Sequence, residues 1–171
     1  MKIGLLVEGP IDKIVFEELQ RKLNVSLKVR VIDNKDKIFN TKKVVPHIES
    51  LLLDEKCSKV IILVDRDDDT IDELTKRFDN IRTVIDKTQL NNVFFNIVNK
   101  KIESWLLTAI YGCSKNPELE ENPEERLSQC LKRRFKKGLR TAKMLAKKLS
   151  INDLKEKCPS FQQFLNSLTD P

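Results

Sequence analysis

Residues 60–69 read VIILVDRDDD: five apolar residues run straight into Asp65, Arg66, Asp67, Asp68 and Asp69. An unbroken apolar run such as KVIILV, from Lys59, is what a strand buried on both faces of a parallel sheet requires. Carboxylates about 5 Å apart repel by about 0.8 kcal/mol in water and about 3 kcal/mol at an effective dielectric of 20. So dense a group of acids at a strand's end needs solvation, a helix to cap, or a cation. One or two of Asp67, Asp68 and Asp69 are expected to cap the helix that begins near Thr70, where acids suit the helix dipole. Capping leaves the remaining acids unexplained.

Outward from this stretch, strand and helix patterns alternate. KIGLLV (2–7) is another almost wholly apolar strand, followed by Ile11, Ile14, Val15, Leu19 and Leu23 on one helical stripe. LKVRVI (27–32) alternates as a half-buried strand, and Val44, Val45, Ile48, Leu51 and Leu52 mark the next helix. Ile71, Leu74 and Phe78 mark a helix after the acids. RTVI (82–85) reads as a short edge strand, NVFFNIV (92–98) as a further strand, and Ile102, Trp105, Leu106, Ala109 and Ile110 as a helix stripe. The alternation predicts an α/β fold, a mostly parallel sheet of four to five strands flanked by helices.

Beyond Gly112 the strand signal stops. Asn122, Pro123 and Glu125 announce a helix with Leu127, Cys130, Leu131 and Phe135 on its apolar face, broken at Gly138. A second helix carries Leu139, Ala142, Leu145, Ala146 and Leu149, and a third begins near Asn152. PSFQQFLNSL closes the chain, with Ser160 and Gln163 as an expected capping box. The 171 residues thus divide into a core, 1–112, and a C-terminal helical extension, 113–171, packed on it.

Net charge is +6, and the excess is local. Between Arg126 and Lys148 stand ten lysines and arginines and no acid, including Lys132, Arg133, Arg134, Lys136, Lys137 and Arg140. Such a stripe suits the phosphates of a nucleic acid, contacted through the backbone with little sequence preference. No apolar run approaches the roughly 20 residues of a membrane span, so no membrane partner and a cytoplasmic location are expected. Cys57, Cys113, Cys130 and Cys158 form no C-x-x-C pair and read as reduced, buried thiols. With His47 as the sole histidine, they offer no zinc site. The single Tyr111 ends an apolar helix and is expected in the core.

In an open parallel sheet, ligands bind outside the carboxyl ends of the strands. Glu8 ends the first strand, Asp65 and Asp67 the third, and Glu103 follows the last in the first turn of a helix. Asp65, Asp67 and Asp69 at i, i+2 and i+4 share one side of an extended chain. Oxygen-only ligands of this kind suit Mg²⁺ or Mn²⁺, as one ion or two.

Glu8 in LLVEGPIDKIVFEELQ, followed by the D-x-D-x-D triplet of Asp65, Asp67 and Asp69 after a buried strand, resembles the TOPRIM domain. That metal-binding, Rossmann-like module is shared by topoisomerases, bacterial-type primases and OLD-family nucleases. KKIESWLL (100–107) resembles the E-x-W-L-L element of small standalone TOPRIM-like proteins of unknown function, often linked to phage defence. CPSFQQFLNSL (158–168) resembles the segment that closes them. The chain departs from that pattern at Thr108 and Ala109, where an acid is expected, and at Pro10 after Gly9. The resemblance implies a metal-dependent nuclease. In it Glu8 acts as general acid/base or second-metal ligand, Asp65 and Asp67 as metal ligands, and Asp69 as a weaker one. Glu103 supplies a further carboxylate, and Lys100 or Lys101 offsets charge on the phosphate.

A haloacid-dehalogenase phosphatase also uses D-x-D, but needs Thr or Val where Asp69 stands. EGPIDK lacks the P-loop pattern. Topoisomerase or primase activity would need further domains. The rival reading is a non-catalytic module that binds metal and nucleic acid as a subunit or regulator. A homodimer or a partner protein is compatible with either.

Overall fold

The computed structural model describes residues 1–85, 87–135 and 138–169. In chain order the elements are β1 (Lys2–Val7), α1 (Pro10–Leu23), β2 (Ser26–Val31), α2 (Lys35–Ile38) and α3 (Thr41–Glu49), which runs into a π-helical turn, Ser50–Asp54. They continue with β3 (Lys59–Asp65), α4 (Ile71–Val84), α5 (Lys87–Leu90), β4 (Val93–Val98) and α6 (Glu103–Leu107). A 3₁₀ turn, Pro117–Leu119, precedes α7 (Pro123–Leu131), α8 (Leu139–Lys148), α9 (Ile151–Lys157) and α10 (Pro159–Thr169).

The sheet has four strands, all parallel, in the order β2-β1-β3-β4. The α/β architecture is as the alternating pattern predicts. Ile3, Leu5, Val7, Ile61 and Leu63 point to one face, packed with α1, α6, α8 and α10. Leu6, Val60, Ile62 and Val64 point to the other, packed with α3 and α4. This period-two split into two cores is why β1 and β3 are apolar throughout. Gly4 allows the close approach of the second layer, because a Cβ there would meet Leu51 Cδ1 at 2.9 Å.

The strand order also fixes where the chain reverses. From β1 the chain moves outward through α1 to β2. It then crosses back over β1 to β3, with α3 on the opposite face. The crevice between the carboxyl ends of β1 and β3 is therefore the topological switch point, where open α/β sheets bind ligands.

Several expectations are corrected. RTVI is the last turn of α4: Ile81 is buried on its apolar face, so packing overrides the strand preference of the β-branched residues. Thr70, not an aspartate, caps α4; its Oγ1 accepts from Glu73 N at 3.2 Å and Glu73 returns the bond to Thr70 N at 2.8 Å. The helix of Leu127 ends at Leu131, with Lys132 left-handed at φ 52°, and Gly138 instead caps α8. Lys132, Arg133 and Arg134 thus leave the helix and stand exposed in the connection; Lys136 and Lys137 lie outside the described residues. Ser160 sits inside α10, facing the core rather than capping a helix. Tyr111 is fully exposed. Cys113 and Cys130 are disulfide-bonded, while Cys57 and Cys158 are buried thiols.

Among the described residues no helix is long and apolar enough to cross a membrane.

Candidate metal centre

At the switch point the backbone itself orients the carboxylates. Asp65 N–H donates to Glu8 Oε1 at 2.7 Å, joining the ends of β1 and β3. Ile102 N–H donates to Asp65 Oδ1 at 3.0 Å, bringing in the segment after β4. That segment is held by Arg66 N on Val98 O, 2.9 Å, and Asp67 N on Lys100 O, 2.8 Å; Asp67 and Lys100 both adopt left-handed φ, 52° and 63°. The β3–β4 pairing therefore continues past both strands and delivers Glu103, 3% exposed, at the start of α6.

A fourth carboxylate belongs to this group. Asp12, 5% exposed in the first turn of α1, accepts from Gly9 N at 2.9 Å. Gly9 makes room for it, since a Cβ there would stand 3.1 Å from Asp12 Oδ2, and Pro10 starts the helix without needing a hydrogen-bond acceptor. The sequence signal for it is an acid four residues after Glu8, behind Gly-Pro, which by itself is indistinguishable from an ordinary first-turn acid.

Glu8, Asp12, Asp65, Asp67, Lys101 and Glu103 line a cleft of about 290 Å³, together with Asp33 and Asn34 after β2. Burial raises the pKa of Glu8 to about 7; the Asp65 N–H and Lys35 oppose this, and Asp67 and Asp69 add to it. Burial, then the charges of Glu8 and Glu103, brings Asp12 to about 7 as well. Asp65 is driven well above the usual carboxylate range by burial first, then by Asp12, Glu8 and Glu103. These groups crowd one another, and among the described residues no ion pair closes on Glu8, Asp12 or Asp65.

The outer acids are arranged differently. Lys35 Nζ, at the start of α2, donates to Asp67 Oδ2 at 2.7 Å and Asp69 Oδ2 at 3.0 Å, and reaches Arg66 O at 3.3 Å. Lys101 Nζ stands 3.7 Å from Asp67 Oδ1 and 3.4 Å from Glu124 Oε1. Burial works against the charge on both lysines, but Asp67 and Asp69 raise Lys35 and Asp67, Glu124 and Glu103 raise Lys101. Lys100 lies 3.4 Å from the exposed Asp68. Among the described residues, no three acid, histidine or cysteine side chains are already gathered as a metal shell. The donors fit a hard divalent cation in kind, all oxygen and in excess of the local positive charge, with backbone N–H groups holding one oxygen each of Glu8, Asp12 and Asp65.

The basic residues lie apart from the cleft. Lys132, Arg133, Arg134 and Arg140 are exposed and none lines it. Arg126 is a structural residue, with Nε and Nη2 on Cys113 O at 2.9 and 2.6 Å. A larger cleft, about 950 Å³, lies beneath Tyr111 and Leu119; the buried carboxylate at its floor, Glu118, is already engaged by side chains of the core.

A family model described as a domain of unknown function, DUF4276, matches residues 7–169, so the chain belongs to that family. No curated protein and no solved structure shows a significant match.

Proposed function

We propose that this DUF4276 protein is a phosphodiester hydrolase acting on nucleic acid with Mg²⁺ or Mn²⁺ held at the switch-point cleft. What supports the reading is one observation above the rest: Glu8, Asp12, Asp65 and Glu103 come from three separate strand ends to one cleft, where burial and mutual repulsion raise Glu8, Asp12 and Asp65. A divalent ion bound there supplies charge stabilisation for an attacked phosphate and an acidified water. Asp65 and Asp12, fixed by Ile102 N–H and Gly9 N–H, would hold the ion. Glu8, poised near neutrality by burial, suits proton transfer at the attacking water. Glu103, which also lines the cleft, would add a further carboxylate, and Lys101 would offset negative charge on the phosphate. Exposed Lys132, Arg133, Arg134 and Arg140 serve as backbone contacts away from the reacting bond. The resemblance of Glu8 and the aspartate triplet to the TOPRIM domain, which OLD-family nucleases share, points the same way. The likeness of KKIESWLL to small TOPRIM-like proteins often linked to phage defence suggests that setting.

The second reading, a metal- and nucleic-acid-binding module without turnover, has its own support in the engagement of Asp67 and Asp69 by Lys35. The two readings separate in one assay. Labelled single- and double-stranded DNA and RNA are incubated with the protein and Mn²⁺, with Mg²⁺, or with chelator, beside Glu8→Gln. Metal-dependent cleavage lost in Glu8→Gln supports the hydrolase. Metal uptake with no cleavage of any of the four substrates leaves the binding module.

A further inference from the structure

Lys35 plays no part in that reading, yet it is the most completely engaged cation in the region. Its ammonium has three protons, and three acceptors stand around it: Asp67 Oδ2, Asp69 Oδ2 and Arg66 O. Its side chain is 13% exposed, unusual for a lysine. The segment that carries it is built for the purpose. Asp33 and Asn34 take φ of 65° and 150°, which turns the chain sharply as it leaves β2, and Asn34 Oδ1 caps α2 by accepting from Lys37 N at 2.9 Å. From the other side Arg77 of α4 grips α2, with Asp36 at 2.8 Å and the Phe39 ring at 4.0 Å from its guanidinium carbon. A four-residue helix anchored at both ends thus sets one ammonium on the outer two acids of the triplet.

We propose that Lys35 is a resident counter-ion which holds Asp67 and Asp69 away from the metal centre, so that a divalent cation engages Asp67 only by displacing the lysine. The inference rests on the metal-binding reading above. It accounts for a contrast within the triplet: Asp65 faces the buried carboxylates, whereas Asp67 and Asp69 face an ammonium. It also makes loading conditional. Breaking two charge-assisted hydrogen bonds opposes the incoming ion, so affinity is low until metal concentration, or metal carried by a phosphate ligand, overcomes it. The carboxylates then exchange a monovalent partner for a divalent one, and the ammonium is released at the cleft's edge.

The test begins with the unaltered protein. Lysine acylation is followed residue by residue by mass spectrometry, with and without saturating Mn²⁺. Lys35 should be slow to react without metal and severalfold faster with it, while Lys28, ion-paired with Glu55 away from the cleft, serves as the internal comparison. Mn²⁺ is then titrated by calorimetry into wild type, Lys35→Met and Lys35→Arg. Lys35→Met should bind roughly tenfold more tightly or better, the equivalent of one charge-assisted hydrogen bond no longer broken. Lys35→Arg, which keeps the charge, should bind like wild type or more weakly. The gain should vanish when Asp67→Asn is added to Lys35→Met, because the competition is for that carboxylate. Mn²⁺ uptake by wild type with unchanged Lys35 reactivity, or with equal or weaker binding by Lys35→Met, overturns the counter-ion role and leaves the metal centre standing. No uptake by any of the chains at millimolar Mn²⁺ overturns both.

Discussion

Two regions that bury carboxylates, the surroundings of Glu118 and the switch point, treat them in opposite ways. Glu118, 6% exposed, is surrounded by donors: Asn99 Nδ2 at 2.8 Å, Trp105 Nε1 at 3.0 Å, Ser160 N at 3.2 Å and the Ser160 hydroxyl. It ties the segment after β4, helix α6 and helix α10 together. At the switch point, Glu8, Asp12, Asp65 and Glu103 are crowded against one another, and burial raises Glu8, Asp12 and Asp65. A buried acid whose lone pairs are matched by donors is part of the architecture; several acids that crowd one another in a cleft are the arrangement on which the proposed metal site rests. The two regions are only a few residues apart in sequence, for Glu103 and Trp105 sit on the same short helix. The structural hub therefore sets the position of the chemical one.

The comparison is broken most directly at Glu8. Glu8→Gln should reduce Mn²⁺-dependent cleavage by about 10²–10⁴-fold, the usual range for removing an acid–base group, without lowering the melting temperature. Retained turnover would remove Glu8 from the chemistry. Glu118→Ala should do the reverse. Trp105 Nε1 keeps the Ser160 hydroxyl at 3.1 Å, but Ser160 N–H, Ser160 O–H and Asn99 Nδ2 lose their acceptor. That loss costs about 3 kcal/mol, a drop of roughly 6–12 °C in melting temperature by differential scanning calorimetry. An unchanged melting curve would refute its structural role.

Asp12→Asn sharpens the contrast, because the amide oxygen still accepts from Gly9 N while one buried charge is gone. Without metal the protein should be more stable by about 1 kcal/mol, and its Mn²⁺ affinity should fall. A less stable Asp12→Asn protein would mean that the carboxylate is satisfied where it lies, as Glu118 is.

Proton linkage gives the next test. Glu8 and Asp12 hold pKa values of about 7 in the folded chain, against ordinary values near 4 to 4.5. The folded state therefore binds more protons than the unfolded state between those limits. Stability without metal should rise as pH falls from about 8 toward 5, being fully present below the unfolded pKa and lost as pH rises through about 7. Saturating Mn²⁺, which favours the ionised carboxylates, should flatten or invert that slope in thermal melts. A metal-free protein that instead loses stability steadily on acidification from pH 8 would show that the cluster carries no such strain.

The smallest effect concerns the exposed basic residues. Arg133→Ala with Arg134→Ala should weaken oligonucleotide binding and lower its salt dependence by about 0.9 for each phosphate contact removed, leaving Mn²⁺ affinity as in wild type. An unaltered salt slope would return these arginines to the role of a solvated surface.

Much of this was legible in the sequence, for identifiable reasons. KIGLLV, KVIILV and NVFFNIV are short apolar runs bounded by polar residues, and only strands bury such runs in a parallel sheet. Their order along the chain placed Glu8, Asp65 and Glu103 at strand ends, and those residues do meet. What was missed depends on contacts across long separations. Asp12 looks like any first-turn acid until the neighbouring strand end is present. Lys35, in a run of charged residues, gains its meaning only from residues 31 to 34 positions onward, Arg66, Asp67 and Asp69. Glu118 stands in an acidic block that reads as solvated surface, and its four donors come from as far as Ser160. Tyr111 was misread because its neighbours are apolar, although the helix has already ended and a turn carries the ring outward. Propensity and period report on a residue's own element; they are silent on which distant side chain will need it.

The packing of α1 against α8 has a consequence in time. Helix α1 carries Asp12, and its apolar face, Val15 and Leu19 among others, lies in one cluster with Ala142, Leu145 and Ala146 of α8. Lys22 Nζ reaches Lys147 O at 2.8 Å, 125 residues further along. On a ribosome, which releases the chain from its N-terminus, the first helix must wait for nearly the last. The four strands of the described sheet and the acids of the cleft are made before α8 emerges, yet the apolar face of α1 is incompletely covered until then. The order of synthesis thus leaves α1, and the acid it carries, to settle late, when the C-terminal helices close over its apolar face.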